Sequence, residues 1–262
     1  MLKITSWNIN SIKQRTQNLI DFINLHEPDI LLLQETKCED HNFPHPELDH
    51  LGYQIVTKGQ KSYNGVAILS KHKIDEVIYE FEDNPDPLQA RYIEAVINYH
   101  SKVIRCASIY VPNGGEVGSD KFAYKLAFLD SYYNYLAQIR QWDEDFILGG
   151  DFNVAPTDID VHNPKILSNT TCFTKVEKNK YFSLLSHNLA DNYRSINPYG
   201  EEFTWWDYRA GAWQNNNGMR IDHILTSCGL TNCLKQVIIH KDERSKEKPS
   251  DHAPITSFFS IK

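Results

Sequence analysis

The stretch "FILGGDFNVAP", Phe146 to Pro156, carries the first decision about this chain. A run of strand character enters Gly149 and Gly150. It then meets an acid, an aromatic and an amide: Asp151, Phe152 and Asn153. A surface turn has no evident use for two bare glycines ahead of an Asp-x-Asn triplet. A residue without Cβ lets another group come close to the backbone, so the glycines are expected to admit a phosphate or a metal. The plainer alternative is an Asx-turn that Gly149 and Gly150 merely serve.

The same pattern, an apolar run closed by a polar group, recurs along the chain. Extended runs include "LKITSW", "DILLLQE", "GVAILS", "YIEAVIN", "VIRCASIYV", "FTWWDY", "RIDHILTS" and "APITSFF". Helical spacing separates several of them. Leu19, Phe22, Ile23 and the edge residue His26 predict a helix over 17–26, which Pro28 stops. Phe122, Leu126, Leu129, Tyr133 and Leu136 predict a second over 121–139, and a third fits 181–189. Strands outnumber helices, and most are continuous buried runs rather than clean alternations. The pattern predicts two packed sheets with helices outside. With no low-complexity linker and no short repeat, residues 1–262 are expected to form one domain.

The polar residues at the run ends make a chemically coherent set. "ITSWN" ends in Asn8, with Asn10 two further on, and "ILLLQE" ends in Glu35. "ASIYVPN" carries Tyr110 and Asn113, "GMRID" carries Arg220 and Asp222, and "SDHAP" carries Asp251 and His252. Each has an ordinary explanation. Asn8 could cap a turn, Glu35 could be a solvated strand end, and Tyr110 a buried aromatic. His252 could be a surface histidine, and Asp222 could pair with Arg220 or Arg209. Together they suit phosphodiester hydrolysis. Glu35 and Asp251, with Asn8 nearby, could hold a hard cation through oxygen. Asp151, placed by Asn153, could handle the water proton. His252, Tyr110 and Asn113 could donate to phosphoryl oxygens, with Asp222 orienting the imidazole.

Composition sets the bounds. The chain has 262 residues, of which 41% are hydrophobic, enough for a sizeable core. No segment reaches the roughly 18 apolar residues of a membrane span, and the N-terminus "MLKITSWN" has no signal-peptide character, so a cytoplasmic protein is expected. Five cysteines without a C-x-x-C pair suggest reduced structural thiols. A net charge of −7 argues against bulk electrostatic attraction to nucleic acid but not against a local basic groove.

"SWNIN", "LLLQETKC", "NGVAILS", "YVPNGG", "GGDFNVAP", "RIDHILTS" and "SDHAPI" together resemble the exonuclease III and apurinic/apyrimidinic endonuclease family, in order and over nearly the whole chain. That family lies in the DNase I-like superfamily of metal-dependent phosphoesterases. The resemblance implies an α/β fold, a four-layer α/β sandwich of two packed mixed β-sheets flanked by helices. "QETK" resembles the DNA-repair branch more than the phosphoinositide or sphingomyelin branches.

The resemblance also implies roles. Glu35, Asn8 and Asp251 match the metal side of the site, together with Asp151 and Asn153. Tyr110, Asp151, Asn153, Asp222 and His252 match the catalytic groups. Asn10 falls where some members carry an acid. Trp205, in "EEFTWWDYRAGAW", matches an aromatic of a pocket for a flipped-out, baseless sugar, and Met219 and Ile221 match its other walls. Tyr63, Arg91, Lys37 and Lys165 match positions near the DNA backbone, or are simply solvated. Glu116 stands where some members place a basic residue inserted into the duplex. His162, in "DIDVHNP", could rim the pocket and bias it between abasic cutting and 3′-end trimming. The expectation is a monomeric, Mg²⁺-dependent repair nuclease, Mn²⁺ being an alternative, acting on double-stranded DNA with abasic sites or blocked 3′ ends. The rival readings are a phospholipid phosphodiesterase of the same fold and a non-catalytic binding module.

Overall fold

A computed structural model describes residues 1–100, 102–142 and 144–261. One six-stranded sheet has the order β13 (Leu234–Ile239), β14 (Ile255–Phe259), β1 (Leu2–Asn8), β2 (Ile30–Gln34), β4 (Val66–Ser70) and β3 (Gln54–Lys58). The other has the order β5 (Ile74–Ile78), β6 (Tyr92–Tyr99), β7 (Lys102–Tyr110), β8 (Asp145–Asp151), β12 (Asp222–Ser227) and β9 (Leu189–Asp191). Each sheet has one parallel pair, β1–β2 and β7–β8, among antiparallel ones. The sheets are therefore mixed. A short ribbon of β10 (Trp205–Trp206) and β11 (Gly218–Met219) stands beside them.

The two sheets face each other across a core that includes Ile4, Leu32, Ile68, Ile93, Cys106, Ile147, Ile224 and Ile255. The outer face of the first sheet is covered by α1 (Thr16–His26), whose Leu19, Phe22 and Ile23 are buried against Trp7, Leu31 and Leu33. The second is covered by α3 (Asp120–Ile139) and α5 (Lys175–Leu185). Sheets buried on both faces need apolar side chains at every position, which is why the strands read as continuous runs. The shorter helices are α2 (His45–Leu48), α4 (Pro164–Leu167), α6 (Asn192–Ile196) and α7 (Cys228–Thr231). The four layers agree with the expected sandwich. Among the described residues no helix is long and apolar enough to cross a membrane.

Three local expectations change. The helix read at 181–189 runs from Lys175 to Leu185, because Thr174 and Glu177 form a capping box that starts it earlier. Leu189 opens β9 instead. The inward stripe of α3 is rotated: Phe122, Leu129 and Leu136 face the sheet as read, but with Lys125, Phe128, Tyr132 and Tyr135 rather than Leu126 and Tyr133. The glycines of the opening stretch admit other parts of the fold, not a ligand. A Cβ on Gly149 would lie 2.5 Å from Leu32 of the facing sheet, and one on Gly150 would lie 1.9 Å from the Ile109 carbonyl oxygen. The bare backbone lets the two sheets and the neighbouring strand close up beneath Asp151.

Candidate active site

The strands deliver their polar ends to one rim. β1, β2, β7 and β8 end there at Asn8, Gln34, Tyr110 and Asp151. β12 runs antiparallel to β8, so Asp222 at its start pairs with Asp151 at the other's end. Asp222 therefore opens its strand, whereas the run "GMRID" suggested a closing position. The 250–252 segment is tied to β1: Ser250 Oγ donates to the Asn8 carbonyl at 2.7 Å, and Trp7 Nε1 to the His252 carbonyl at 3.2 Å.

These ends line a cavity of about 360 Å³. Its walls include Glu35, Tyr110, Asn113, Asp151, Asn153, Asp251 and His252 on the polar side. Trp205, Met219 and Ile221 form the apolar side. Asn8 Nδ2 donates to Glu35 Oε1 at 2.8 Å and to Asp151 Oδ2 at 2.9 Å. The Asn8 oxygen accepts from the Asn10 N–H at 3.1 Å, which fixes the orientation of the amide. Asn8 thus offers hydrogens, not an oxygen, to the cavity. The Asn153 side chain is held at both ends: Oδ1 accepts from Asn113 Nδ2 at 3.0 Å, and Nδ2 donates to the Val111 carbonyl at 3.0 Å. Glu35 and Asn153 both adopt left-handed backbone, φ 52° and 50°. Such conformations cost energy in non-glycine residues and persist where surrounding bonds impose them.

His252 is the electrostatic centre. Its Nδ1 donates to Asp222 Oδ2 at 2.8 Å, and its Nε2 lies 3.7 Å from Asp151 Oδ2. Burial alone would push the imidazole down, but Asp222 and Asp151 hold it up at about 10. At neutral pH the ring is a cation with Nε2–H aimed into the cavity. Asp151 moves the other way from an ordinary carboxylate. Burial raises it to about 7, helped by Asp222 and Glu35 and opposed by His252. Tyr110 is raised well above the usual phenol range by burial and by Glu35 and Asp151, so it is a donor. Burial opposes ionisation of Asp251, yet His252, Trp205 and Asn10 hold it below the usual carboxylate range. Trp205 Nε1 donates to Asp251 Oδ2 at 3.0 Å, and Asn10 Nδ2 to Oδ1 at 2.8 Å.

A metal fits the acidic side of this cavity. Ligand atoms of Glu35, Asp151 and His252 lie within 4.8 Å of one another. A protonated imidazole repels a cation, so the carboxylates are the ligands on offer, and such oxygen donors suit a hard divalent ion. Lys37 Nζ lies 2.7 Å from Glu35 Oε2 and donates to Asn10 Oδ1.

Two arginines are engaged within the protein. Arg91 lies 4.8 Å from the Tyr110 ring centroid and donates to the Tyr110 carbonyl at 3.3 Å, so it braces that tyrosine. Arg220 pairs with Asp160 and Asp191, not with Asp222. Tyr63, Glu116 and Lys165 are exposed and outside the cavity. His162 accompanies Trp205 and Met219 in an adjoining recess, its backbone N–H donating to the Gly218 carbonyl at 3.0 Å. Thr171 and Cys172 line the cavity too, although no motif singled them out.

Comparison with known proteins gives concordant matches. The model of the endonuclease/exonuclease/phosphatase family matches residues 5–252. An exodeoxyribonuclease III of Haemophilus influenzae is 33% identical over 266 aligned positions, covering 98% of this chain and all of the relative. The structure of a 3′ phosphatase from Neisseria bound to product DNA hairpin is 35% identical with a TM-score of 0.94, covering both chains fully. That of an AP endonuclease from Archaeoglobus fulgidus is 36% identical with a TM-score of 0.93, again with full coverage.

Proposed function

We propose, because the chain belongs to the endonuclease/exonuclease/phosphatase family, that it is a metal-dependent DNA-repair phosphodiesterase whose residues 1–262 form one catalytic domain. Its substrate is duplex DNA. It hydrolyses the phosphodiester 5′ to an abasic site and clears blocked 3′ ends, with possession of a duplex 3′-to-5′ exonuclease activity as part of the same chemistry. The observation that carries this reading is the His252–Asp222 pair aimed at Asp151, in a cavity that also holds Glu35 and an apolar wall.

In this reading Glu35 and Asp251, with Asp151, hold Mg²⁺, and Mn²⁺ substitutes because both are hard cations. The ion, when bound, neutralises charge on the phosphoryl group. The imidazolium of His252 donates to a non-bridging phosphoryl oxygen, where charge develops. Tyr110 and Asn113 supply further N–H or O–H donors at the same rim. Asp151, raised to about 7, is matched to exchange a proton near neutral pH and takes one from the attacking water. The water oxygen bonds to phosphorus and the P–O3′ bond breaks; O3′ takes a proton from solvent to give the 3′-hydroxyl, and Asp151 returns to solvent the one it took. Asn8 and Asn153 keep the carboxylates in place through the hydrogen bonds described above. Trp205, Met219 and Ile221 make a wall suited to a sugar without its base. An intact nucleotide needs more room than a deoxyribose alone. His162, beside Trp205 and Met219, is placed to influence which substrate end enters.

The test is a 5′-labelled duplex with one central abasic analogue, incubated with Mg²⁺ or with EDTA. A single Mg²⁺-dependent cut at the lesion is expected, and Asp151→Ala is expected to lose most turnover while still binding the duplex. Near-normal turnover of that variant would overturn the mechanism. Turnover of a phospholipid instead of DNA would move the chain to another branch of the superfamily.

A further inference from the structure

Lys125 is a lysine with no exposure to solvent. It sits in the second turn of α3 with its side chain fully buried, opposite an equally buried Glu177 of α5. Its three N–H bonds are all used. Nζ donates to the Asn113 carbonyl at 3.1 Å, to the Asn153 carbonyl at 2.6 Å, and to Glu177 Oε1. An ammonium has three donors and no acceptor, so the group is saturated. Glu177 is saturated as well, accepting from the Cys172 and Thr174 N–H groups at 3.0 Å each and from Thr174 Oγ1 at 2.6 Å.

The two carbonyls belong to different loops, one following β7 and one following β8. The side chains of those same two residues meet in the cavity, Asn113 Nδ2 donating to Asn153 Oδ1. The Asn153 backbone N–H in turn donates to Asp151 Oδ1 at 2.9 Å. Asn153 has left-handed backbone, and the next residue after Asn113, Gly114, has φ +95°. A Cβ on Gly114 would lie 3.0 Å from the Lys125 stem, so the first loop is laid directly on this side chain. A buried ion pair is a poor source of stability, because desolvation offsets its attraction. This one sets geometry at a site assembled from separate loops.

We infer that Lys125, anchored by Glu177, is a positioning residue that aligns the Asn113 and Asn153 side chains beside Asp151. The inference rests on the proposed function for what that alignment serves. The alignment itself can be measured without turnover.

Removing Lys125 alone would bury an uncompensated carboxylate, so the informative variant is Lys125→Met with Glu177→Gln. Lys125→Gln in the same Glu177→Gln background, which keeps two donors on a shorter stem, is the second. Folding is checked by circular dichroism. With selective ¹⁵N-asparagine labelling, the side-chain amide signals of Asn113 and Asn153 are expected to move in the pair variant, while those of Asn18 and Asn98 on other faces stay. In the abasic-duplex assay kcat is expected to fall about 10–100-fold, as for loss of groups that orient a site, with KM within about threefold. Lys125→Gln is expected to fall between this variant and the wild type. In an Asn153→Ala background the further loss is expected to shrink below about twofold, because the effect runs through Asn153. A folded variant with unmoved asparagine signals, with wild-type kcat, or with an equal loss in both backgrounds overturns the inference. If the pair variant does not fold, Lys125→Gln decides by the same readings. A wild type that cuts no DNA instead overturns the functional reading, and the amide signals alone then judge the positioning.

Discussion

The charge on His252 is the most exposed part of the mechanism to test, and Asp222→Asn is the substitution that isolates it. Replacing Asp222 by Ala would leave a buried cation without its partner, which costs on the order of 3–5 kcal/mol and confounds activity with folding. Asparagine keeps the volume and a polar group at 2.8 Å from Nδ1. In the wild type, a value of about 10 leaves the ring charged in all but about one molecule in 300 at pH 7.5. Asp222 is the first of the groups that oppose burial there. Without its charge, burial is opposed by Asp151 and Asp251 alone, so the value falls from about 10 and the neutral ring becomes populated at pH 7.5. The new amide can turn its N–H toward Nδ1, which leaves a neutral ring with its proton on Nε2. That tautomer still donates, but a charge-assisted bond is roughly twice as strong as a neutral one. The expected loss in kcat is therefore about 10–100-fold at pH 7.5, less than for removing a donor outright. It should shrink several-fold by pH 6, as the ring regains its proton. The assay is single-turnover cleavage of the abasic duplex from pH 5.5 to 9. A loss below about twofold, or the same loss at every pH, would refute the claim that a held imidazolium is what His252 contributes.

Two further outcomes follow from the same geometry. Glu35→Gln should abolish the rise in melting temperature that Mg²⁺ gives the wild type, a stabilisation of about 2.7 kcal/mol at a hundredfold excess over Kd; an unchanged Mg²⁺ shift in the variant would remove Glu35 from the metal site. His240, its ring centroid 4.3 Å from that of His26, is lowered to about 3 by burial and then by His26. Its folded value lies below its unfolded one of about 6.5, so the unfolded chain binds the extra proton, and stability is full above about pH 6.5 and lost as pH falls toward 3. His240→Gln should flatten the stability–pH slope in that window by up to about 1.4 kcal/mol per unit, read from urea unfolding, and an unchanged slope would assign acid sensitivity elsewhere.

The parts of the fold and site that could be read from sequence are those that depend on neighbours along the chain. Buried runs that end in Asn8, Glu35, Tyr110 and Asp151 announce both a two-sided sheet and a polar rim. Leu19, Phe22 and Ile23 mark the buried face of α1 by spacing alone. The start of α5 was also written locally, as Thr174-x-x-Glu177, the capping-box pattern. What could not be read depends on contacts across sheets and loops. The role of Gly149 is set by Leu32 of the opposite sheet. Arg220 has an aspartate two residues away, yet its partners come from positions 160 and 191. Lys125 lies on a helix where a lysine reads as a solvated residue, and nothing in α3 reveals that two carbonyls and a carboxylate await it. The cavity residues Thr171 and Cys172 arrive on a loop whose path depends on Glu177.

Net charge is the feature that would have misled most if used alone. A total of −7 describes the field at a distance, and that field falls away within a Debye length of about 8 Å in physiological salt. Phosphate binding is decided by the cations within that range. Next to Glu35, with which Lys37 pairs, a recess of about 210 Å³ gathers Lys13, Lys37 and Lys61 against the single acid Glu39. Several acids are occupied elsewhere. Glu94 is paired with Arg105, Asp160 and Asp191 with Arg220, and Glu177 with Lys125, all in the interior. Asp222 is spent on His252. A neutralised carboxylate repels no phosphate. The chain can therefore be acidic overall and still offer a strand of DNA a basic approach beside its cavity, because three lysines are gathered there within a short range of one another.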